Sequence, residues 1–253
     1  MKNPLSLLGK SIAITGASAG IGRGAAILLS ELGARITLVG RNQARLDDTL
    51  GQLSGDGHRV APFDFQRTDS IEEWFAGLVT EQGPFDGLVH SAGIGSLLPL
   101  RALTTSHIDE VMRINVFAAM ALTKAFSRKR AYQPGASIVL VASVAGLAGV
   151  PVRTAYSASK GALIAFARSA AMELAKSGIR VNCVAPAYVK TEMFEEAFKT
   201  ITPEQMQKLI ETTQPLGLGT ALDVAHAIAF LLAETGRWIT GSVLAVDGGY
   251  TAQ

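Results

Sequence analysis

The chain contains very little cysteine and histidine. Cys183 is the only cysteine among 253 residues, and the 4 histidines are scattered along the sequence. One cysteine excludes an intrachain disulfide, and so few nitrogen and sulfur ligands argue against a structural zinc site. No metal site is therefore predicted. Cys183 lies in the apolar run IRVNCVA, where we expect its thiol to pack inside a buried strand.

Long hydrophobic runs and an excess of one charge are also missing. Although 48% of the residues are apolar and the mean hydropathy is +0.29, no stretch approaches the ~18 unbroken apolar residues of a membrane span. The 23 basic and 21 acidic residues give a net charge of +2, which does not indicate a nucleic-acid partner. The start, MKNPLSLLGK, is too short and too weakly apolar for a secretory signal. We therefore expect a cytoplasmic protein.

Short apolar runs alternate with segments of helical periodicity along most of the chain. Such runs include SIAIT, RITLVG, FDGLVH, ASIVLVA, IRVNCVA and SVLAV. This alternation predicts an α/β fold with a doubly wound parallel sheet of Rossmann type, about seven strands and helices on both faces. We expect a single domain over 1–253. The pattern loosens at 187–219, which suggests a lid over a substrate site.

A glycine-rich turn follows the first apolar run. The sequence GASAGIG at 16–22 stands between SIAIT and a helical segment that ends near Gly33. Glycines allow a tight turn and a close approach of pyrophosphate to amides at a helix N-terminus, where the helix dipole favours negative charge. The order of strand, turn and helix predicts a dinucleotide site. Phosphate binding is assigned to Gly16, Ser18, Gly20, Ile21 and Gly22, with a purely structural turn as the alternative.

Arg41 carries the information about the type of dinucleotide. It ends the second apolar run, and no acidic residue occurs between Gly33 and Leu46. An NAD enzyme needs an acid there for the ribose 2′-hydroxyl, whereas an arginine suits a 2′-phosphate. Arg23 and Arg45 add further positive charge nearby. The sequence therefore favours NADP(H) over NAD(H), although solvated arginines at a strand exit are the alternative.

Tyr156 and Lys160 form a candidate acid and its activating cation. A spacing of four residues in a helical segment places both side chains on nearly one face. A free tyrosine titrates near pH 10, far above the pH at which a general acid is most useful. A nearby ammonium and an oxidised nicotinamide would stabilise the phenolate. Ser143, upstream, could face the same carbonyl. The alternative is an ordinary surface pair.

The motifs together resemble the classical short-chain dehydrogenase/reductase family over essentially the whole chain. The matching features are TGASAGIG at 15–22, Asp64, Asn115, Ser143, Tyr156 with Lys160, and ITGSVLAVDGG at 239–249. Asn115 is the least expected of these residues, because asparagine inside a helix competes for backbone hydrogen bonds.

The resemblance implies a catalytic tetrad and a set of cofactor contacts. Tyr156 would protonate the carbonyl oxygen as hydride reaches the carbon, and Ser143 would hydrogen-bond that oxygen. Lys160 would also bind the nicotinamide ribose, and Asn115 would hold a water linked to this lysine. Cofactor contacts are further implied for Tyr156, Lys160, Asp64, Ala92, Gly93, Pro186, Val189 and Thr191. Family members commonly form tetramers, so we expect a homo-oligomer, either a tetramer or a dimer.

The chain departs from the family pattern at two places. His90 and Ser91 stand where the family usually has two asparagines, so the amide contacts that brace the central strands must be replaced or lost. Ala187 follows Pro186 where the family often has glycine, which removes backbone freedom near the nicotinamide. Neither departure removes a catalytic group.

The leading functional hypothesis is an NADP(H)-dependent oxidoreductase that interconverts a ketone and a secondary alcohol. Apolar side chains assigned to the substrate pocket are Leu147, Val150, Tyr188, Met193 and Phe194. Arg153 is a candidate for holding an anionic or phosphopantetheine-bearing substrate. One alternative is a 3-oxoacyl-thioester reductase acting on a carrier-bound substrate, and another is a non-catalytic NADP-binding regulator. Neither nucleic acid nor a membrane is expected as a partner.

Overall fold

A seven-stranded parallel sheet forms the centre of the protein. The computed structural model describes residues 3–252, and every strand pairing in it is parallel. The strands of the sheet are β1 (Ser11–Thr15), β2 (Arg35–Gly40), β3 (Arg59–Pro62), β4 (Phe85–His90), β5 (Tyr132–Val141), β6 (Arg180–Pro186) and β9 (Val243–Val246). Their order across the sheet is β3-β2-β1-β4-β5-β6-β9. The chain crosses from one half of the sheet to the other after β3, which confirms the doubly wound α/β fold.

Helices cover both faces of this sheet. The helices are α1 (Gly20–Glu31), α2 (Gln43–Leu50), α3 (Ile71–Gln82), α4 (Thr105–Met112), α5 (Ala118–Phe126), α6 (Thr154–Leu174), α7 (Glu192–Ala197), α8 (Pro203–Thr213) and α9 (Ala221–Leu232). Side chains of α1, α2 and α9 build one apolar core, and those of α3, α5 and α6 build the other. Burial on both faces explains why the strands are continuous apolar runs rather than alternating ones.

The helical segment that contains Asn115 includes a wide turn. Helices α4 and α5 are separated by the π-helical segment Arg113–Phe117, which includes Asn115. Wide turns of this kind are rare and occur mostly at functional sites. Asn115 therefore lies inside a helical segment, as expected, but in the π-helical part of it. The periodic spacing of apolar residues indicates a helix here, but it does not reveal the extra residue in the wide turn.

The carboxyl ends of the central strands meet at one edge of the sheet. Thr15 of β1 aligns with His90 of β4, and Val141 of β5 aligns with Val184 of β6. Ligands of open α/β sheets bind outside this edge. The segment that follows β6 carries β7 (Val189–Lys190), α7, α8 and β8 (Gly219–Thr220), and its two short strands pair with each other. Within residues 3–252, none of the helices has the length and apolar character needed to cross a membrane.

Candidate active site

A cleft of about 670 Å³ opens at the carboxyl edge of the sheet. The glycine turn, the loop after β4, the start of α6 and the segment after β6 all contribute to it. Most of the side chains predicted to bind cofactor or substrate line this cleft. They are Gly16, Ser18, Gly20, Ile21, Ala92, Gly93, Ser143, Val150, Arg153, Tyr156, Lys160, Pro186, Tyr188, Val189, Thr191, Met193 and Phe194.

Five of the predicted residues lie outside the cleft lining. Gly22 packs behind the glycine turn, Asn115 is fully buried, and Leu147 is 45% exposed. Arg41 follows the end of β2 directly and is exposed. Asp64 is half-buried, and its carboxylate accepts a hydrogen bond from the backbone of Gln66 at 3.0 Å.

Ser143, Tyr156 and Lys160 all line the cleft. The Lys160 ammonium lies 5.6 Å from the centroid of the Tyr156 ring. It donates a hydrogen bond to the Val141 carbonyl at 2.8 Å and is only 6% exposed. The Ser143 hydroxyl accepts a hydrogen bond from the Ala145 amide at 3.2 Å. Accepting this bond orients the hydroxyl, whose own proton can still be donated to a ligand.

The wide turn between α4 and α5 directs Asn115 toward the loop after β4. Its amide oxygen accepts from the Ile94 backbone at 2.8 Å, and its amide nitrogen donates to the Ile94 carbonyl at 3.1 Å. The same nitrogen donates to the Ser159 hydroxyl at 3.0 Å. Asn115 therefore joins this loop to α6 at Ser159, the residue before Lys160.

The glycine turn is closely packed and contacts an anion from elsewhere in the chain. A Cβ on Gly16 would lie 2.8 Å from the Ala92 amide nitrogen, and the φ of Gly16 is +68°. The Gly20 amide, at the start of α1, donates to a carboxylate oxygen of Glu192 at 3.0 Å. A carboxylate bound at a helix N-terminus shows that this end of α1 favours negative charge.

An aromatic cluster also lines the cleft, and the sequence indicated only part of it. The ring centroid of Tyr188 lies 5.4 Å from that of Phe198 and 6.0 Å from that of Tyr250. Burial raises the pKa of the Tyr188 phenol, Tyr250 raises it further, and Arg153 opposes this shift. Phe198 and Tyr250 were not predicted in the pocket, since they lie far from the motifs. Tyr250 comes directly after the DGG turn, which is the one signal that could have found it.

The first departure from the family pattern is compensated by a threonine. The Thr15 hydroxyl lies 3.0 Å from Nδ1 of His90 and accepts from the Ala92 amide at 3.1 Å. The Ser91 amide donates to the Thr15 carbonyl at 3.3 Å. Strands β1 and β4 are thus braced by a hydroxyl and an imidazole. Burial and, as a smaller cause, the positive charge of Lys160 together lower the pKa of His90 to about 3.

This buried imidazole predicts a loss of stability in mild acid. In the unfolded chain His90 takes up a proton below about pH 6.5, whereas in the folded chain it does so only near pH 3. The unfolded state binds more protons between these values, so stability falls as the pH falls through this window. When the pH falls from 7 to 5, the free energy of unfolding of the parent chain should fall by about 2 kcal/mol more than that of His90→Asn.

The measurement is urea unfolding of both chains at the two pH values. His226→Gln serves as a control, because His226 is exposed on α9, and it should follow the parent chain. An equal pH dependence in His90→Asn and the parent chain would contradict the assignment of this effect to His90.

The second departure causes no backbone strain. Within residues 3–252, positive φ angles outside glycine occur at Arg130 and Val152 only. Ala187 lines the cleft with an ordinary negative φ. The freedom of a glycine is therefore not needed at this position.

The chain is similar to known reductases over nearly its full length. A family model described as enoyl-(acyl carrier protein) reductase matches residues 16–251. A 3-oxoacyl-[acyl-carrier-protein] reductase of Mus musculus is 38% identical over 241 residues, which cover 95% of this chain and 97% of the relative. The enzyme of the same name from Rickettsia prowazekii (strain Madrid E) is 33% identical over 246 residues, with 97% and 98% of the two chains covered.

Solved structures agree with this relationship. A dehydrogenase/reductase from Sinorhizobium meliloti 1021 superposes with a TM-score of 0.87 at 31% identity, covering 98% of this chain and 97% of that one. A putative short-chain alcohol dehydrogenase from the same organism gives a TM-score of 0.91 at 28% identity, with 99% and 100% covered. The fold, the shared cleft and these relatives agree with the resemblance seen in the motifs. The chain belongs to the classical short-chain dehydrogenase/reductase family and is an oxidoreductase.

Proposed function

We propose that this oxidoreductase uses NADP(H) to interconvert a ketone and a secondary alcohol, with Tyr156 as the acid and base. The observation that carries the proposal is the single cleft lined by the glycine turn, Ser143, Tyr156 and Lys160. A dinucleotide on the glycine turn would bring its reactive ring to the side of the cleft that holds the hydroxyl and the phenol.

The residues present fit a dinucleotide. The Gly20 amide already donates a hydrogen bond to a carboxylate oxygen, so a phosphate has a suitable donor there. A Cβ on Gly93 would lie 3.1 Å from the Asn115 amide oxygen and 3.6 Å from the Lys160 ammonium, so glycine lets the loop after β4 pass close to both side chains. When bound, NADPH would supply the hydride.

The chain's own residues would handle the proton and the developing charge. Ser143 would donate a hydrogen bond to the carbonyl oxygen, and Tyr156 would give that oxygen its proton. Lys160 is held by the Val141 carbonyl, so its positive charge stays beside the Tyr156 ring. Asn115 would position the Lys160 ammonium through Ser159 and the loop after β4.

The names of the relatives favour a 3-oxoacyl thioester as the substrate class. Both the mouse and the rickettsial relatives are 3-oxoacyl-[acyl-carrier-protein] reductases. The Arg153 guanidinium lines the cleft, 5.8 Å from the Tyr156 ring centroid and 5.7 Å from that of Phe198. At this position its positive charge could bind the phosphate of a pantetheine arm. The aromatic cluster could contact the acyl chain.

The test is a comparison of steady-state NADPH oxidation with acetoacetyl-CoA and with simple ketones of similar size. We expect kcat/KM to be at least about tenfold higher for the thioester, a difference of about 1.4 kcal/mol. Turnover of simple ketones alone would remove the thioester proposal and keep the reductase. Cofactor binding without turnover of any carbonyl would favour the non-catalytic regulator.

Replacing Arg41 should change the cofactor preference. A hydrogen bond to a charged group contributes about 1.5–3 kcal/mol, so loss of the contact to a 2′-phosphate should cost about tenfold to hundredfold in kcat/KM with NADPH. We expect Arg41→Ala to show this loss and to leave kcat/KM with NADH nearly unchanged. Arg237→Ala is the control, since Arg237 is an exposed residue in the turn after α9. A preference of the parent chain for NADH would refute the role of Arg41.

Exposed apolar side chains support the prediction of a homo-oligomer. Phe117 in the wide turn is 47% exposed, Met120 on α5 is 43% exposed, and Met172 on α6 is 76% exposed. Trp238, near the edge strand β9, is 94% exposed. Large apolar groups at such positions are typical of subunit interfaces. The choice between dimer and tetramer and the cytoplasmic location stay predictions.

A further inference from the structure

Glu192 connects the segment after β6 to the glycine turn. It is the first residue of α7, and one carboxylate oxygen accepts the Gly20 amide hydrogen at 3.0 Å. Its other oxygen lies 3.7 Å from the guanidinium of Arg23 and 3.4 Å from that of Arg45. The Glu192 side chain is 48% exposed. Two arginines and a helix N-terminus therefore converge on a carboxylate that solutes can reach.

The same place is suited to a phosphate. Helix α1 has twelve residues, and its first amide, with two guanidinium groups nearby, forms an anion site. The site belongs to the glycine turn, but the anion comes from a residue 172 positions away along the chain. Thr191 packs there as well, because a Cβ on Gly20 would lie 3.2 Å from its methyl carbon. The start of α7 thus lies directly on the turn.

We propose that Glu192 is an internal anion that occupies the phosphate end of α1 in the cofactor-free chain, so that the cofactor binds by displacing it. This inference rests on the proposed function, because it takes a cofactor phosphate to be the competing anion. Two negative groups cannot share one amide and the same arginines without strong repulsion. Displacement would release the first turn of α7 and open the cleft to substrate after the cofactor has bound.

The internal contact lowers the apparent affinity for the cofactor. If a site is free for only a fraction of the time, the apparent Kd of its ligand is the intrinsic Kd divided by that fraction. If the carboxylate occupies the site most of the time, neutralising it should tighten binding by about fivefold to thirtyfold. Glu192→Gln removes the charge and the two ion pairs while keeping the size of the side chain.

The experiment is a fluorescence titration of NADPH with the parent chain, Glu192→Gln and Glu195→Gln. Glu195 lies on the same helix, is exposed and does not line the cleft, so it is a matched control for charge and position. We expect the Kd to fall by about fivefold to thirtyfold in Glu192→Gln and to stay within about twofold in Glu195→Gln. An unchanged or higher Kd in Glu192→Gln would overturn the proposal.

A second titration separates this inference from the proposed function. Inorganic pyrophosphate carries the competing charge without a nicotinamide, and its binding to the three chains can be followed by calorimetry. Tighter pyrophosphate binding in Glu192→Gln alone supports the internal anion. This holds even if no chain binds NADPH or turns over a carbonyl, since the absence of NADPH binding and turnover would refute only the proposed function. Equal pyrophosphate binding in all three chains refutes the internal anion.

Hydrogen exchange in the parent chain should show faster exchange of amides at 192–197 when pyrophosphate binds, and unchanged exchange would contradict the release of α7.

Discussion

Tyr156→Phe is expected to lower kcat/KM for carbonyl reduction by about 10²-fold to 10⁴-fold, the range over which general acid catalysis usually contributes. The phenylalanine keeps the ring that Lys160 faces at 5.6 Å but removes the only atom proposed to deliver a proton. Because the other implied cofactor contacts remain and one neutral hydrogen bond contributes about 0.5–1.5 kcal/mol, the Kd for NADPH should rise by no more than about tenfold.

Steady-state rates and a fluorescence titration of NADPH check this prediction together. Tyr132→Phe is the matched control, since Tyr132 begins β5, stacks on Phe126 and does not line the cleft. It should keep the rate of the parent chain. Turnover of Tyr156→Phe within about tenfold of the parent chain would mean that another group supplies the proton.

The second large effect is expected from Gly146→Ala. Gly146 ends the 3₁₀ turn that follows Ser143, and it lies against the backbone of α6. A Cβ there would be 2.7 Å from the Lys160 carbonyl carbon and 2.8 Å from the Gly161 amide nitrogen. Backbone inside a long helix cannot yield easily, so the turn that carries Ser143 must move away from Tyr156. A misplacement of about 1 Å can cost about 10²-fold in rate, and overpacking costs about 1–3 kcal/mol of stability.

Gly161→Ala provides the control from the other side of the same contact. A Cβ on Gly161 would meet the Gly146 carbonyl oxygen at 3.8 Å, an ordinary van der Waals distance. Alanine is preferred over glycine in a helix interior by about 0.5–1 kcal/mol, so this variant should be at least as stable as the parent chain. Urea unfolding and kcat are measured for both variants. A normal kcat in Gly146→Ala would show that the spacing of the turn and α6 does not control the reaction.

Much of the fold follows from local sequence. The strands are short apolar runs, and the glycine turn stands between a strand and a helix, so the doubly wound parallel sheet could be inferred without coordinates. The wide turn at Asn115 could not be inferred in this way. It depends on the bonds between the Asn115 amide and the Ile94 backbone, which join residues on different elements.

The candidate site shows the same division. Tyr156, Lys160 and the glycines lie in motifs of fixed spacing, and the structure places them around one cleft. Glu192 reaches Gly20 only because the segment after β6 folds back over the turn, and no local pattern indicates this contact. The sequence predicted that the His90 departure would need compensation. It did not identify the Thr15 hydroxyl, because a threonine at a strand end has many possible partners.

The wide turn at Arg113–Phe117 joins α4 and α5 into one continuous helical segment and affects which neighbouring helices this segment contacts. Helix α4 packs on α6, whereas α5 packs on α3. Successive residues of an α-helix are about 100° apart around its axis, so one additional residue rotates everything downstream by about that angle. The segment can therefore turn its apolar side chains toward α6 in its first half and toward α3 in its second half. A chain that lacked this one residue could preserve either interface, but not both.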